Sequence, residues 1–173
     1  MDKAYKLVVF RLDEQQFSIH LSIVDRIIPI LEIHPLPRAP EYIMGTINYQ
    51  GIFLPVVNLR KLFLLPQREL ELSDHLIITI ISRNKIALWV DKVSEIMELN
   101  EEEITNTEKI LLDVDYVQGL FKLHDGMVVI HDLEKFLTPE QIARLEASLI
   151  KKVEQKQKKN PKRNINKTVE PPR

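Results

Sequence analysis

The 173-residue chain contains no cysteine, only four glycines and a single tryptophan. Without cysteine it cannot form disulfide bonds, use a thiol nucleophile or bind zinc or iron–sulfur clusters through thiolates. Its longest unbroken run of apolar residues and threonine, Leu76–Ile81, is six residues long, whereas a membrane span needs about 18. The apolar run Leu7–Phe10 near the N-terminus is too short for the core of a signal peptide. We therefore expect a cytoplasmic protein.

The glycine, histidine and serine residues also lack the spacing of phosphate-binding, metal-binding or catalytic motifs. The four glycines are spread along the chain, at Gly45, Gly51, Gly119 and Gly126. A phosphate-binding loop needs several glycines close together. None of the five histidines has the spacing of a helical metal site, and no serine lies in a nucleophile elbow. Neighbours on a strand point to opposite faces, so His131 and Asp132 are badly placed as a catalytic pair. The sequence predicts no enzymatic activity, no cofactor and no metal site.

Charge is distributed unevenly along the chain. Residues 151–173 contain nine Lys and Arg against two Glu, a net charge of +7, whereas the first 150 residues contain 15 basic and 23 acidic residues, a net of −8. A basic tail can bind nucleic acid, but this one has no aromatic residue to stack on bases. We interpret 157–173 as a disordered, solvated tail. A β-barrel nucleic-acid-binding protein that uses this tail remains an alternative, although the acidic body argues against it.

Hydrophobic patterns predict mainly short β-strands, and these occur twice. Residues 19–28 align with residues 88–97, at an offset of 69 residues. In each half a glycine, Gly45 or Gly119, lies 13 residues before a short Leu- or Phe-containing helical turn. Small β modules tend to close into barrels because closure removes exposed strand edges. The sequence therefore predicts two packed five-stranded SH3-like β-barrels.

We place the barrel boundaries by this repeat. The two subdomains are expected at roughly 15–82 and 83–137, with the N-terminal strand 5–12 joining one of them. A helix is predicted over 139–156, because Thr138 and Gln141 form a capping box around Pro139. Its apolar residues fall on one face and should dock on the body. They are Ile142, Leu145, Leu149 and Val153.

The segment Leu36–Arg60 contains Leu-Pro, Ala-Pro, Gly, Pro-Val and Leu-Arg elements in this order. In these elements it resembles the CheW family of bacterial chemotaxis adaptors and the related regulatory domain of the CheA histidine kinase. Residues 8–12, 90–93 and 132–135 also match, so the resemblance extends over about 5–149. The resemblance implies a scaffold that links the cytoplasmic tips of methyl-accepting chemoreceptors to a CheA-type kinase in membrane-associated arrays, with no small-molecule substrate. It also implies that one barrel engages the kinase regulatory domain and that the groove between the barrels engages receptor helices.

Nine residues are predicted to form the partner-binding surface: Val24, Arg26, Ile27, Gly45, Asn48, Tyr49, Gln50, Val90 and Val93. The apolar residues among them could equally be core, because burial alternates along a strand. Gly45, like Gly51, is expected to serve the backbone, by allowing a turn or a close approach.

Three positions depart from the family pattern. Arg26 stands where the family usually has Glu, Gln50 where it usually has Arg, and Asn58 where it usually has Asp. The first two positions belong to the partner surface that the resemblance implies, and the changes would place misfitting charge against the usual partner. Either the copy has drifted and binds weakly, or a second pathway is insulated from the first. We favour insulation, which predicts a divergent chemosensory pathway.

Overall fold

The computed structural model describes residues 4–106, 116–145, 147 and 149. Within these residues the chain forms two sheets, one with the strand order β8-β1-β2-β11-β10-β9 and one with the order β3-β6-β7-β5-β4. The strands are β1 (Ala4–Leu12), β2 (Gln15–His20), β3 (Val24–Pro29), β4 (Ile43–Tyr49), β5 (Ile52–Asn58), β6 (His75–Ile81), β7 (Asn84–Val90), β8 (Lys92–Asn100), β9 (Thr105–Asn106), β10 (Val117–Leu123) and β11 (Gly126–His131).

Both sheets curl so that their edges meet. In the six-stranded sheet, β8 and β9 are opposite edges, yet a 3₁₀ turn, Glu101–Glu103, connects them almost directly. In the five-stranded sheet, the chain leaving edge strand β3 reaches edge strand β4, where His34 and Thr46 exchange two backbone hydrogen bonds of 2.8 Å. The mainly β fold of two packed barrels is confirmed, with the two-residue strand β9 as a sixth strand in one barrel.

The internal repeat is a structural repeat. Strands β3, β6, β7, β5 and β4 of the five-stranded barrel occupy the same order as β8, β1, β2, β11 and β10 of the six-stranded barrel. Short helices α1 (Leu59–Leu62) and α2 (Leu133–Phe136) follow β5 and β11. Each is capped by the side chain of the preceding residue, Asn58 or Asp132.

The expected subdomain boundaries, 15–82 and 83–137, do not match the sheets. Strand β2 pairs with β1 and β11, and β7 pairs with β6 and β5. Among the described residues, the six-stranded barrel therefore contains 4–20, 92–106 and 117–131, and the five-stranded barrel contains 24–90. The chain crosses between barrels after β2 and again after β7, so each sequence repeat contributes strands to both. The N-terminal strand joins the six-stranded barrel.

Three apolar clusters hold this arrangement together. One fills each barrel, and the third lies between the barrels. Along β1, Leu7 and Val9 face the barrel interior, while Val8 and Phe10 face the shared cluster. Burial on both faces explains why β1 and β6 are continuous apolar runs rather than alternating ones.

A C-terminal helix covers part of the shared cluster. The described part begins at residue 139. Thr138 Oγ1 accepts a hydrogen bond from the Gln141 N–H (3.3 Å), and Gln141 Oε1 accepts one from the Thr138 N–H (3.0 Å), which confirms the capping box. Ile142 and Leu145 are buried in the cluster. Residue 153, the rest of the expected helix and the tail at 157–173 lie outside the described residues.

Candidate protein-interaction site

Strand β3 presents side chains to two different surfaces. Val24 pairs with Thr79 and Ile27 with Ile77, whereas Arg26 pairs with Ile78. Cross-strand partners share a face of the sheet, and a bulge between Val24 and Arg26 shifts the alternation. Val24 and Ile27 therefore face the space between the barrels, and Arg26 faces the open end of the five-stranded barrel.

The first surface is the interbarrel groove, which we define by Val24, Ile27 and Val93. All three side chains are half-buried and pack against the shared cluster. They lie on β3 and β8, which are the structurally equivalent edge strands of the two barrels. The groove is therefore apolar, and one wall comes from each barrel.

The second surface is the barrel mouth, which we define by Arg26, Tyr49, Ile52 and Ile80. Tyr49 and Ile52 are register partners at the end of the β4–β5 hairpin. Ile80 lies on β6 beyond Ile78, on the face that lines the barrel interior. Ile52 is 57% exposed and Ile80 is 42% exposed. Large aliphatic side chains left open at one end of a barrel are typical of a protein-interaction surface.

The hairpin tip is built by its own sequence. Gln50 and Gly51 both have positive φ, 52° and 83°, so they form the tight turn between β4 and β5. Asn48 Oδ1 accepts a hydrogen bond from the Gly51 N–H at 2.9 Å. Asn48 thus stabilises the turn, and the side chain of Gln50 is exposed at its tip. Gly51 serves the turn, as expected.

Two exposed arginines give the barrel mouth positive charge. Asp25 and Lys85 pair at 2.9 Å and neutralise each other. Arg26 and Arg83 are exposed and make no salt bridge with any other residue that the structure describes. A cavity of about 290 Å³ continues from Ile52 and Arg83 towards the C-terminal helix. A partner with apolar side chains and an acidic rim would complement this surface.

Two of the nine predicted residues are not on a surface. Val90 is fully buried in the shared cluster, because the other barrel packs against its face of β7. Gly45 is buried under the closing segment, where an added Cβ would lie 2.2 Å from the His34 carbonyl oxygen. Its expected backbone role is therefore confirmed as a close approach.

Sequence reasoning missed Ile52 and Ile80. Ile80 belongs to the apolar run Leu76–Ile81, and the sequence alone does not distinguish it from its buried neighbours. It is exposed because β6 extends past the packed interior of the barrel. Ile52 was detectable, because it lies directly across the predicted turn from Tyr49.

The Asn58 departure has a local explanation away from both surfaces. Asn58 Oδ1 accepts a hydrogen bond from the Lys61 N–H (3.3 Å) and caps α1, as Asp would. Its amide also donates to Gln67 Oε1 at 2.8 Å. An ionised carboxylate cannot donate, so Asn58 suits the loop of this chain.

No membrane-spanning helix and no group of three or more His, Asp or Glu suited to a metal ion is found among residues 4–106 and 116–145. A second cavity, of about 650 Å³, opens at the end of the six-stranded barrel beside Tyr5 and His20. It contains none of the predicted partner-binding residues.

Known proteins resemble this chain in sequence and in fold. The family model described as a CheW-like domain matches residues 6–141. The chain is 30% identical over 139 residues to the chemotaxis protein CheW of Bacillus subtilis, covering 78% of this chain and 88% of that protein. It is 23% identical over 150 residues to that of Treponema pallidum, covering 83% and 88%. The crystal structure of the scaffolding protein TtCheW from Thermoanaerobacter tengcongensis superimposes with a TM-score of 0.70 at 30% identity, covering 78% of this chain and 93% of that one. With its two barrels, its repeat and its signature segment, the chain belongs to the CheW-like family.

Proposed function

We propose that this chain is a non-enzymatic chemotaxis adaptor that couples chemoreceptor tips to a CheA-type histidine kinase, in the bacterial cytoplasm at receptor arrays. Membership of the CheW-like family supports the proposal. The observation that carries it is strand β3, which serves two surfaces: Val24 and Ile27 face the groove and Arg26 faces the barrel mouth. An adaptor must hold two partners at once, and β3 offers each partner its own face.

The kinase regulatory domain is assigned to the barrel mouth. Ile52 and Ile80 offer an apolar centre, and Arg26 and Arg83 a charged rim. Protein interfaces commonly combine such a centre with such a rim. The cognate kinase is therefore expected to present apolar side chains flanked by Asp or Glu.

The receptor tip is assigned to the interbarrel groove. An amphipathic helix binds a groove through apolar residues spaced three and four apart. Val24, Ile27 and Val93 line the groove with half-buried apolar side chains that such a helix could cover.

The pathway is proposed to be insulated from others. Relative to the usual family residues, Arg26 changes the local charge by two units and Gln50 by one. Both residues are exposed at the end of the barrel that carries the mouth. A kinase suited to Glu and Arg at these positions would meet a like charge at Arg26 and lose an ion pair at Gln50, which weakens binding to the wrong partner.

Replacing Ile52 tests the kinase assignment. We expect Ile52→Asp to weaken binding of the cognate kinase regulatory domain by about tenfold or more, measured by calorimetry, and to leave receptor-tip binding unchanged. Met127→Asp is the matched control, because Met127 follows Gly126 in the equivalent hairpin of the other barrel and is 54% exposed. Equal effects of the two variants on kinase binding would contradict the assignment.

Deleting residues 151–173 tests the nucleic-acid alternative. We expect the truncated chain to bind kinase and receptor as before. The alternative would be favoured if the full chain bound nucleic acid but neither kinase nor receptor, and if the truncated chain lost only its nucleic-acid binding.

A further inference from the structure

A cluster of charged side chains lies where the chain crosses from the five-stranded to the six-stranded barrel. Asp91 is the single residue between β7, in one barrel, and β8, in the other. It lies outside the barrel mouth, and its mostly buried side chain meets two arginines of the five-stranded barrel and a backbone N–H of the six-stranded barrel.

The Asp91 carboxylate joins the two barrels. It accepts hydrogen bonds of 2.6 Å from Arg60 and Arg68, which belong to the five-stranded barrel. It also accepts one of 2.6 Å from the backbone N–H of Asp13, in the β1–β2 turn of the six-stranded barrel. Arg60 donates to Asp13 Oδ1 at 3.0 Å. The Asp91 N–H donates to the Arg11 carbonyl oxygen at 3.1 Å.

A second layer of contacts orients the two arginines. The guanidinium carbons of Arg60 and Arg68 lie 5.0 and 5.3 Å from the centre of the Trp89 ring. Trp89 Nε1 and Arg68 donate to the buried Asp74. Burial raises the pKa of Asp74, but hydrogen bonds from Arg68, Glu71 and Trp89 outweigh it and hold the pKa below its usual value.

The arrangement is better suited to fixing geometry than to adding stability. Arg60 is fully buried, and its Nε and Nη1 have no hydrogen-bond partner among the described residues. A buried, incompletely satisfied ion pair is a poor source of stability compared with apolar packing. Hydrogen bonds are directional, whereas the apolar cluster between the barrels is not. The charged cluster can therefore select one orientation among several that the apolar cluster would tolerate.

From this geometry we infer that Asp91 is a positioning residue: through Arg60 and Asp13 it fixes the orientation of the two barrels and thereby the shape of the interbarrel groove. The groove walls are β3 and β8, one from each barrel, and β8 begins directly after Asp91. The consequence for receptor binding rests on the proposed function, whereas the orientation itself does not.

The test measures barrel orientation directly. We place one cysteine in each barrel, Glu41→Cys near β4 and Lys122→Cys on β10, both at exposed positions. Because the chain has no native cysteine, spin labels attach at these two positions alone. We expect Asp91→Asn to broaden the interlabel distance distribution or shift its mean by about 2 Å or more. Asp13→Asn should change the interlabel distance distribution in the same way but to a smaller extent. The Asp13 side chain is exposed and its backbone is left-handed, a conformation that Asn tolerates. This variant therefore tests the inference even if Asp91→Asn does not fold.

Asp125→Asn is the matched control. Asp125 pairs with Arg11 at 2.6 Å, but both residues belong to the six-stranded barrel. An unchanged distribution in both Asp91→Asn and Asp13→Asn, or an equal change in Asp125→Asn, would overturn the inference.

A binding measurement separates the inference from the proposed function. We expect Asp91→Asn to weaken receptor-tip binding about tenfold and to leave kinase binding at the barrel mouth unchanged, because the mouth lies within one barrel. A changed distance distribution with unchanged receptor affinity would support the positioning role and contradict the assignment of receptors to the groove.

Discussion

Leu64 occupies a backbone position that normally belongs to glycine. It follows the C-cap of α1 with a φ of 56°, and the Leu65 N–H donates to the Arg60 carbonyl oxygen at 2.8 Å. This is the Schellman arrangement that ends many helices. The side chain is 91% exposed, so no packing offsets the strain of the left-handed backbone.

Leu64→Gly should therefore stabilise the protein by about 1 kcal/mol, measured by urea unfolding. Leu72→Gly is the control, since Leu72 is 96% exposed but does not have a positive φ. It should destabilise slightly, because glycine adds entropy to the unfolded chain. Equal shifts of the same sign in both variants would contradict the explanation.

His131 lies in an aromatic cluster. Its ring stacks on Phe63 at 4.3 Å between centroids, with Phe17, Tyr116 and Phe136 nearby. Burial lowers the pKa of His131 from 6.5 to about 4, although a backbone hydrogen bond at Val129 opposes this. The folded protein therefore holds His131 neutral at pH values where the unfolded chain becomes protonated.

This pKa predicts a pH dependence of stability. The folded-state pKa is below the unfolded value, so the free energy of unfolding should fall as pH drops from about 6.5 towards 4. The loss between pH 7.5 and 5 should be about 2 kcal/mol. His131→Phe should remove this part of the slope, whereas His124→Gln, in the exposed β10–β11 turn, should keep it. A slope that survives His131→Phe would refute the assignment.

Single-residue predictions succeeded where the signal is local. The Thr138 cap depends on four consecutive residues, and the Gly51 turn on two, so both could be read from the sequence. Val90 could not be placed, because its burial depends on the other barrel, whose residues pack against its face of β7. Ile80 is exposed because it lies where β6 extends past the packed interior of the barrel.

Closure of each barrel depends on a strand that passes over a glycine. In the five-stranded barrel the closing pair is His34 and Thr46, beside Gly45. In the six-stranded barrel β9 pairs with Gly119 and Leu120 of β10, and a Cβ at Gly119 would lie 2.6 Å from the Ile104 side chain. The spacing of Gly45 and Gly119 in the sequence repeat reflects this shared need for space.

Gly45→Ala should therefore lower the free energy of unfolding much more than Gly126→Ala, an alanine substitution at a glycine with a similar φ. Gly126 has a φ of 151°, close to the 148° of Gly45, but nothing lies within 4 Å of its added Cβ. We expect Gly126→Ala to cost about 1–2 kcal/mol through backbone strain alone, and Gly45→Ala to cost at least about 2 kcal/mol more, measured by denaturant unfolding. Similar costs would show that closure at His34 contributes little.

Short elements were predictable, but their assignment to barrels was not. The repeat identified two copies of one strand pattern, and both copies exist. The repeat carries no information on which sheet a strand joins, because Leu21–Ile23 and Asp91 can either turn the chain back or carry it across. Because the chain crosses at these two points, residues 15–20 join the six-stranded barrel and residues 84–90 join the five-stranded barrel. Each segment was expected in the other barrel.

At the scale of the whole molecule, the proposal is that one strand carries two partner surfaces and that buried charges fix their relation. Resemblance in residues 36–60 was enough to predict the family, and the family model covers 6–141. The proposed partner surfaces could be predicted only in part, since the barrel mouth combines residues from β3, β4, β5 and β6 that are far apart in sequence. The interpretation of Arg26 and Gln50 as insulating residues stays a prediction.

Calorimetric titration of the protein with the regulatory domain of each histidine kinase from its own cell tests the central claim most directly, with the wild type and Arg26→Glu side by side. We expect about micromolar binding to one kinase, lost or redirected to another kinase in Arg26→Glu. Arg83→Glu, an equal charge change on the same rim, should weaken binding less. Binding to no kinase, or binding that Arg26→Glu leaves unchanged, would contradict an insulated kinase adaptor.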